Sequence, residues 1–460
     1  MAPRITIIGG GSYQWVPKLL VDVANTPALH EAEIVVEDID PAPVPRMVEL
    51  VEHIAAVRGI GLTAFGTTDQ RAALEGADYV VVNISTGGFA SMRHDLEIPA
   101  RYGIRQSVGD TVGPGGVIRA QRNIPVFLQL ASDMEELCPD AWMLNLTNPM
   151  TTICRAVTRE SSIRTIGLCH EITITQFLLS LLLDTSFLEL QPTVAGVNHL
   201  PLISSLDAGG RDGLALLRGL LDDADRRAAE PLAMELPDGF LPGTPAAGAR
   251  WTKGDLLRHN RVKLELFTRF GVLPGAGDRH LVEFFPGFLT EESRWGARWG
   301  VTLTTIEDRE ASQAAYVAEL DDLLAAAEIP AMPSGEMVAP VIQCLELDRP
   351  GWFPLNVPND GQVADLPDGV TVESICVADG KGVRGRDRVR LPPAVAECVR
   401  RVAAAQERTV EAAVTGNRDE VFAAMLLDPL AGRLDYDRLG EMTDAMLTAT
   451  RPWLPQFPIT

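Results

Sequence analysis

The sequence predicts an α/β fold: a largely parallel sheet built over residues 1–195, followed by an α+β region over residues 196–460. Two observations carry the first half. Short β-branched runs alternate with helix-length segments whose apolar residues recur at helical spacing, the pattern of βαβ units. The residues with the most reactive side chains fall directly after those runs, and parallel sheets bind ligands at the carboxyl ends of their strands. A third observation, the fading of that alternation beyond residue 195, sets the second half apart.

The elements follow in order. Residues 4–8 form a strand that ends at Gly9-Gly10-Gly11-Ser12, and Val16, Leu19, Leu20, Val23 and Ala24 mark the apolar face of the next helix. Ile34-Val35-Val36 is a second strand, closed by Glu37-Asp38-Ile39-Asp40. A helix over 47–57, a strand over 62–65 and the apolar run 79–84 come next. Residues 103–119 predict a long Gly-rich loop opening into a helix, and 121–137 have helical spacing at Ile124, Phe127, Leu128, Ala131 and Met134. Strands over 142–146 and 165–168 end at Thr147-Asn148-Pro149 and Cys169-His170. In the second half, 239–249 predicts a loop, 313–327 and 394–413 predict helices, and 354–377 predicts strands and turns.

Composition narrows the function classes. The 460 residues carry a net charge of −22, from 40 basic and 62 acidic side chains, which argues against a nucleic-acid or anionic-membrane surface. No apolar stretch approaches the roughly 18–20 residues of a membrane helix. The N-terminus runs straight into a strand without the charged, apolar and cleavage regions of a signal peptide. Six scattered cysteines with no Cys-x-x-Cys pair predict reduced thiols, hence a cytoplasmic setting.

The Gly-rich turn between strand and helix suits a pyrophosphate. Glycines let backbone N–H groups approach, and a helix N-terminus favours negative charge. The third glycine of G-x-G-x-x-G is absent, since position 14 is Gln. Asp38 closes the second strand, where a carboxylate accepts from a ribose hydroxyl and repels a 2′-phosphate, favouring NAD over NADP. Gly9, Gly11, Ser12, Asp38 and Asn83 are therefore the predicted cofactor residues of a Rossmann-type domain. Asn148-Pro149 stands where lactate- and malate-type dehydrogenases place an asparagine near nicotinamide and substrate, although Asn-Pro also simply favours turns.

Cys169 and His199 each follow a strand-like run. If both strands belong to one sheet, thiolate and imidazole converge at its carboxyl edge as metal ligands; otherwise they are a buried thiol and a hydrogen-bonded imidazole. Asp278-Arg279-His280, after Gly275-Ala276-Gly277, suits binding or proton transfer, and equally a solvated turn.

With these pieces in place the chain resembles glycoside hydrolase family 4 along nearly its whole length. The resemblance rests on the Gly-Gly-Gly-Ser turn, Gly113-Pro114-Gly115-Gly116 within 107–119, Thr147-Asn148-Pro149 and Cys169-His170-Glu171. It extends to Gly196-Val197-Asn198-His199 and Asn356-Val357-Pro358-Asn359-Asp360-Gly361. Residues 110–116 and 276–281 are most similar to the bacterial α-galacturonidase branch.

The resemblance implies a glycosidase that departs from the two-carboxylate mechanism. NAD+ takes hydride from C3 of the sugar, a divalent metal (Mn2+) stabilises an enediolate, and a base removes the C2 proton. The aglycone then leaves by elimination, water adds, and the hydride returns. It implies Cys169 and His199 as metal ligands, Asn148 as a substrate contact and His170 at a position tied to leaving-group protonation.

Related phosphoglycosidases carry the C2 base on a loop tyrosine; here Tyr316 falls inside a predicted helix, so the base is assigned to Asp278, with His280 as competitor. Asp110 and Arg119 are expected sugar contacts, and Arg105, Arg119 or Arg279 the cation for a uronic acid carboxylate. The second half is then a substrate-binding and oligomerisation domain of a homodimer or homotetramer. The competing reading is an NAD-dependent 2-hydroxyacid dehydrogenase of the lactate/malate type, which leaves Cys169, His170 and His199 unexplained.

Overall fold

A computed structural model describes residues 2–236, 250–330 and 334–457; the loop expected at 239–249 lies outside them. Among the described residues, twelve strands form one sheet. They are β1 (Arg4–Ile8), β2 (Glu33–Glu37), β3 (Thr63–Thr67), β4 (Tyr79–Val82), β5 (Trp142–Asn145) and β6 (Arg164–Leu168). After these come β7 (Leu190–Val197), β8 (Leu200–Ala208), β9 (Leu273–Pro274), β10 (Gly351–Pro358), β11 (Thr371–Asp379) and β12 (Gly382–Gly385). The order is β3-β2-β1-β4-β5-β6-β10-β11-β7-β8-β9, with β12 on β11.

The first six strands are parallel, as the alternation of strand and helix requires. Ile5, Ile7, Ile34 and Val36 pack on one face against Leu19, Leu20, Met47 and Leu50. Ile8, Val35, Val80 and Val82 pack on the other against Ile124 and Phe127. Burial on both faces explains why these strands are nearly continuous apolar runs.

The expected loop over 103–119 is shorter than its glycines suggested. The helix begins at Gly113 and runs to Leu137. A Cβ on Gly115 would lie 2.6 Å from the Gly109 carbonyl oxygen, and one on Gly116 would lie 2.5 Å from the Thr111 carbonyl carbon. These glycines let residues 109–111 cross the start of the helix at contact distance. The helix expected at 313–327 likewise starts earlier, as Ile306–Ala325. Thr305 caps it by accepting from the Asp308 N–H at 3.1 Å, and its mostly exposed first turns lack the apolar stripe that periodicity detects.

Antiparallel strands complete the sheet. One register row runs Gly167, Asn356, Glu373 and Gly196 across β6, β10, β11 and β7. Three antiparallel steps separate β6 from β7, so the two strands run in opposite directions. Cys169 and His199 therefore do not share a carboxyl edge, which corrects that part of the sequence reading. The chain turns from β7 into β8 through Asn198 and His199, and His199 takes a left-handed φ of 62°. Few residues other than glycine take this conformation, though histidine does so more readily than most, and non-glycine residues held there gather at functional sites.

Candidate functional site

The dinucleotide turn is built by close backbone contact. Gly9 has φ 76°, and a Cβ on it would lie 2.1 Å from the Asn83 carbonyl oxygen. Asn83 is thus brought to the turn through its backbone. A Cβ on Gly10 would meet Val36 at 2.7 Å, and one on Gly11 would meet Asp38 Oδ2 at 2.7 Å. Asp38 Oδ2 accepts from the Gly11 N–H at 2.9 Å, while Oδ1 accepts from the Asp40 N–H at 2.9 Å. The turn then enters the helix Val16–Ala24, with Ser12 Oγ accepting from the Trp15 N–H at 3.4 Å. Beside it lies Glu37, which the sequence reading did not single out. Burial, then the neighbouring Asp38, pushes its carboxyl up to about 7.

A second group forms where three segments meet. Asp110, His199 and His280 each bring a donor atom to within 4.8 Å of the others. Thr111 Oγ1 lies 2.7 Å from His199 Nδ1 and donates to Asp110 Oδ1 at 2.7 Å. The His280 ring stacks on that of His199 with centroids 3.6 Å apart. Burial and the His280 ring push His199 down to about 3, which keeps its imidazole neutral as a metal ligand must be. Burial opposes ionisation of Asp110, yet His199, His280 and Arg119 hold it at about 2. Asn148 Nδ2 reaches Asp110 Oδ2 at 3.4 Å, and the Asn148 carbonyl accepts from Arg119 Nε at 3.0 Å.

Cys169 lies outside this triad but touches its edge. Its buried thiol hydrogen-bonds the side chain of Asn198, next to His199, and burial with Glu373 and Glu171 pushes it well above its ordinary value. Glu373 Oε2 accepts from Asn198 Nδ2 at 3.1 Å and Asn356 Nδ2 at 3.4 Å. Four buried polar atoms at this site have no partner among the described residues: Asn198 Oδ1, His280 Nδ1, Glu283 Oε2 and Glu373 Oε1. Native proteins rarely leave such atoms unpaired, so their gathering here marks a place built for a polar or cationic ligand.

His170 Nδ1 sits 2.8 Å from Glu336 Oε1, and Trp15 tilts over its ring at 5.9 Å. Burial disfavours the imidazolium, but the Glu336 hydrogen bond prevails and raises His170. Glu171 approaches His280 Nε2 at 3.9 Å and accepts from the Gly277 N–H. Asp278 is buried, and its two oxygens accept from Val262 N–H at 2.8 Å and Lys263 N–H at 2.9 Å. It anchors the start of helix Arg261–Phe270, an arrangement that leaves its oxygens engaged. Arg279 Nη2 donates to the Ser107 carbonyl at 2.8 Å and Thr304 Oγ1 at 2.5 Å. Arg105 is exposed and lies over the Trp295 ring at 5.3 Å.

Thr111, Glu283, Glu336 and Glu373 were not legible as site residues. Thr111 lies within residues 110–116, a stretch similar to the α-galacturonidase branch. The three glutamates sit in stretches with no motif, and nothing short of the fold brings them here.

Comparisons with known proteins agree along the whole chain. The model of the family 4 glycosyl hydrolases matches residues 4–184, and that of the family 4 glycosyl hydrolase C-terminal domain matches 194–431. The α-galactosidase of Bacillus subtilis (strain 168) is 31% identical, with 99% of each chain covered. The α-galacturonidase of Thermoanaerobacterium saccharolyticum is 32% identical, covering 99% of this chain and 97% of its own. The crystal structure of lplD from Bacillus subtilis superposes with a TM-score of 0.84 at 28% identity, covering 97% of this chain and 99% of that one.

A 6-phospho-α-glucosidase from gut microorganisms, solved in complex with NAD and Mn2+, gives 0.81 at 20% identity with both chains fully covered. A lactate dehydrogenase from Eimeria maxima gives only 0.51 at 15%, covering 90% of this chain and 96% of that one; it shares the fold alone, so the hydroxyacid dehydrogenase reading gives way. The chain belongs to family 4 of the glycosyl hydrolases.

Proposed function

We propose that this glycosyl hydrolase cleaves an α-galacturonide or related uronide with bound NAD and a divalent cation, Mn2+ by likeness to the liganded relative. The observation that carries the reading is the polar group around His199, where buried polar atoms stand unpaired, linked to the strand end at Asn83 through the Ile84–Thr147 hydrogen bond and Asn148. When bound, the nicotinamide supplies a hydride acceptor and the cation supplies Lewis acidity.

The chain's own residues do the rest. Gly9, Gly11 and Ser12 present backbone to the pyrophosphate, Asp38 takes the ribose, and Asn83 backs the turn. His199, held by Thr111 at Nδ1, would hold the cation together with Cys169, whose thiol hydrogen-bonds the side chain of Asn198. Asp110 is the third anionic group in reach, and Asn148 orients it. We take residues 1–195 as the NAD-binding domain, which also brings Asp110, Asn148 and Cys169 to the site, and 196–460 as the substrate-binding and assembly domain.

His280 is the residue we assign to accept the C2 proton. Its Nδ1 is buried and unpartnered, and Glu171 lies behind Nε2, where it stabilises the imidazolium. Asp278, the other sequence candidate, is tied to a helix start by both oxygens. His170, raised by Glu336, is placed to hold a proton for the leaving group.

A homodimer or homotetramer in the cytoplasm completes the reading, and the free cysteines Cys138, Cys154, Cys169 and Cys376 support a reducing compartment. No helix among the described residues is long and apolar enough to cross a membrane.

The test is release of nitrophenol from a panel of nitrophenyl glycosides in NAD+, Mn2+ and reductant, with each omitted in turn. Release that collapses without NAD+ or cation, with no net NADH, is the expected result. Release indifferent to both would overturn the reading.

A further inference from the structure

Three arginines crowd the edge of the site without forming an ion pair among the described residues. Arg119 is tied to a backbone carbonyl through Nε. Arg279 uses Nη2 on the Ser107 carbonyl and Thr304 Oγ1, which brings residue 304 and the helix start behind it against the site. Arg309, on the first turn of that helix, is half-buried, and no hydrogen bond or ion pair of its guanidinium is present among the described residues. It lies within electrostatic reach of both Arg119 and Arg279.

Such crowding is costly. Like charges repel, and a half-buried guanidinium without a partner loses hydration for nothing in return. The chain carries 62 acidic residues, so carboxylates were not scarce. The glutamates nearest in sequence, Glu307 and Glu310, are instead turned to Arg93, at 3.1 and 3.8 Å. The arrangement makes sense if an anion arrives with the substrate.

We propose that Arg309 is the specificity-determining residue that recognises an anionic substituent at C6 of the sugar, a carboxylate, with Arg119 and Arg279 adding positive field beside it. The proposal rests on the glycosidase reading above. A guanidinium fork that is free on both edges binds carboxylate or phosphate in bidentate fashion; the carboxylate follows from the uronide reading above, and galactose 6-phosphate in the binding arm separates the two.

The experiment has two arms, both on the full chain with NAD+ and Mn2+. Calorimetry measures binding of galacturonate, galactose and galactose 6-phosphate to the unaltered protein, Arg309→Gln and Arg309→Lys. Kinetics then follow the nitrophenyl α-galacturonide and α-galactoside. We expect the unaltered protein to prefer galacturonate, and Arg309→Gln to lose on the order of 100-fold of that preference in kcat/KM, through KM. Galactoside turnover, NAD affinity and melting temperature should stay within a few-fold or a few degrees of the unaltered protein, and Arg309→Lys should recover part of the loss.

A galacturonide-to-galactoside ratio that Arg309→Gln leaves within twofold overturns the inference even if cofactor dependence holds. Preference for galactose or for galactose 6-phosphate over galacturonate also overturns it. Turnover independent of NAD+ and cation strikes the glycosidase reading instead, while the binding arm still decides the role of Arg309. Should Arg309→Gln fail to fold, the lysine variant carries the comparison, and unchanged discrimination there overturns the proposal.

Discussion

His280 stacks on His199 at 3.6 Å between ring centroids, while its own Nδ1 finds no partner. One imidazole is fixed by Thr111 and the other has an unpartnered Nδ1, the difference on which the proposed roles of ligand and base rest. His280→Gln should lower kcat by about 10²–10⁴, the usual contribution of a general base. Mn2+ and NAD affinities should stay within a few-fold. Solvent-deuterium exchange into C2 of a bound sugar should be lost in step with kcat. If calorimetry shows Mn2+ affinity falling as steeply as for His199→Ala, His280 is a metal ligand and the base lies elsewhere.

Glu37 should make cofactor binding depend on pH. Its carboxyl, raised to about 7 by burial and Asp38, lies beside the turn proposed to receive the pyrophosphate. Below that pH it is neutral; above it, a second carboxylate joins Asp38 and repels the phosphates. NAD+ affinity should therefore weaken as pH rises through 7, by up to about tenfold per unit, and binding near pH 8 should take up a proton. Glu37→Gln should bind with a flat profile between pH 6 and 8.5. A profile equally steep in the glutamine variant assigns the effect to another group.

The legible and the hidden parts of this site differ in how they are encoded. Gly9 to Ser12 and Asp38 were legible because one strand end and the next supply everything the turn needs, within thirty residues. Cys169 and His199 could be picked out as candidates, but their relative placement could not, because sequence does not reveal that β10 and β11, some 150 residues later, insert between β6 and β7. Asp278 was legible as a carboxylate after a Gly-rich turn, but its surroundings were not, because the helix start whose N–H groups its two oxygens accept lies elsewhere in the sequence. Arg309 sits in a helix whose exposed first turns carry no apolar period, so nothing in the sequence pointed at it.

Arg122 and Asp95 form an ion pair whose side chains are fully buried, joining helix Gly88–Arg101 to helix Gly113–Leu137. Arg122 Nη1 reaches Asp95 Oδ1 at 2.9 Å, and Nε donates to the Thr86 carbonyl at 3.0 Å. Removing one partner strands the other charge, so Asp95→Asn should cost about 3–5 kcal/mol of stability. The double variant Asp95→Leu with Arg122→Met should recover most of it. Denaturant unfolding decides; a single-variant loss below about 1 kcal/mol would mean water reaches the pair.

Glu283 ties the reactive loop to the helix that carries His280. Its Oε1 accepts from the Val108 N–H at 2.8 Å and the Gly109 N–H at 3.0 Å, one residue before Asp110. Burial pushes this carboxyl up to about 8, against the pull of those hydrogen bonds. The sign of the pH effect follows. Near pH 4 both folded and unfolded chains hold the proton, and the full contribution is present. Between about 4.5 and 8 the folded chain keeps it while the unfolded chain has released it, so stability falls as pH rises, by at most about 1.4 kcal/mol per unit.

Glu283→Gln retains an acceptor oxygen and should flatten that slope while preserving kcat within a few-fold. Glu283→Leu leaves two buried N–H groups unpaired, at about 1–3 kcal/mol each, and lets residues 107–111 drift from His199. Its kcat should fall well beyond what its melting temperature explains, with NAD affinity unchanged, because the turn it releases positions Asp110 and Thr111 rather than the cofactor. A leucine variant that unfolds earlier yet turns over normally would show that Glu283 stabilises the fold without positioning the site.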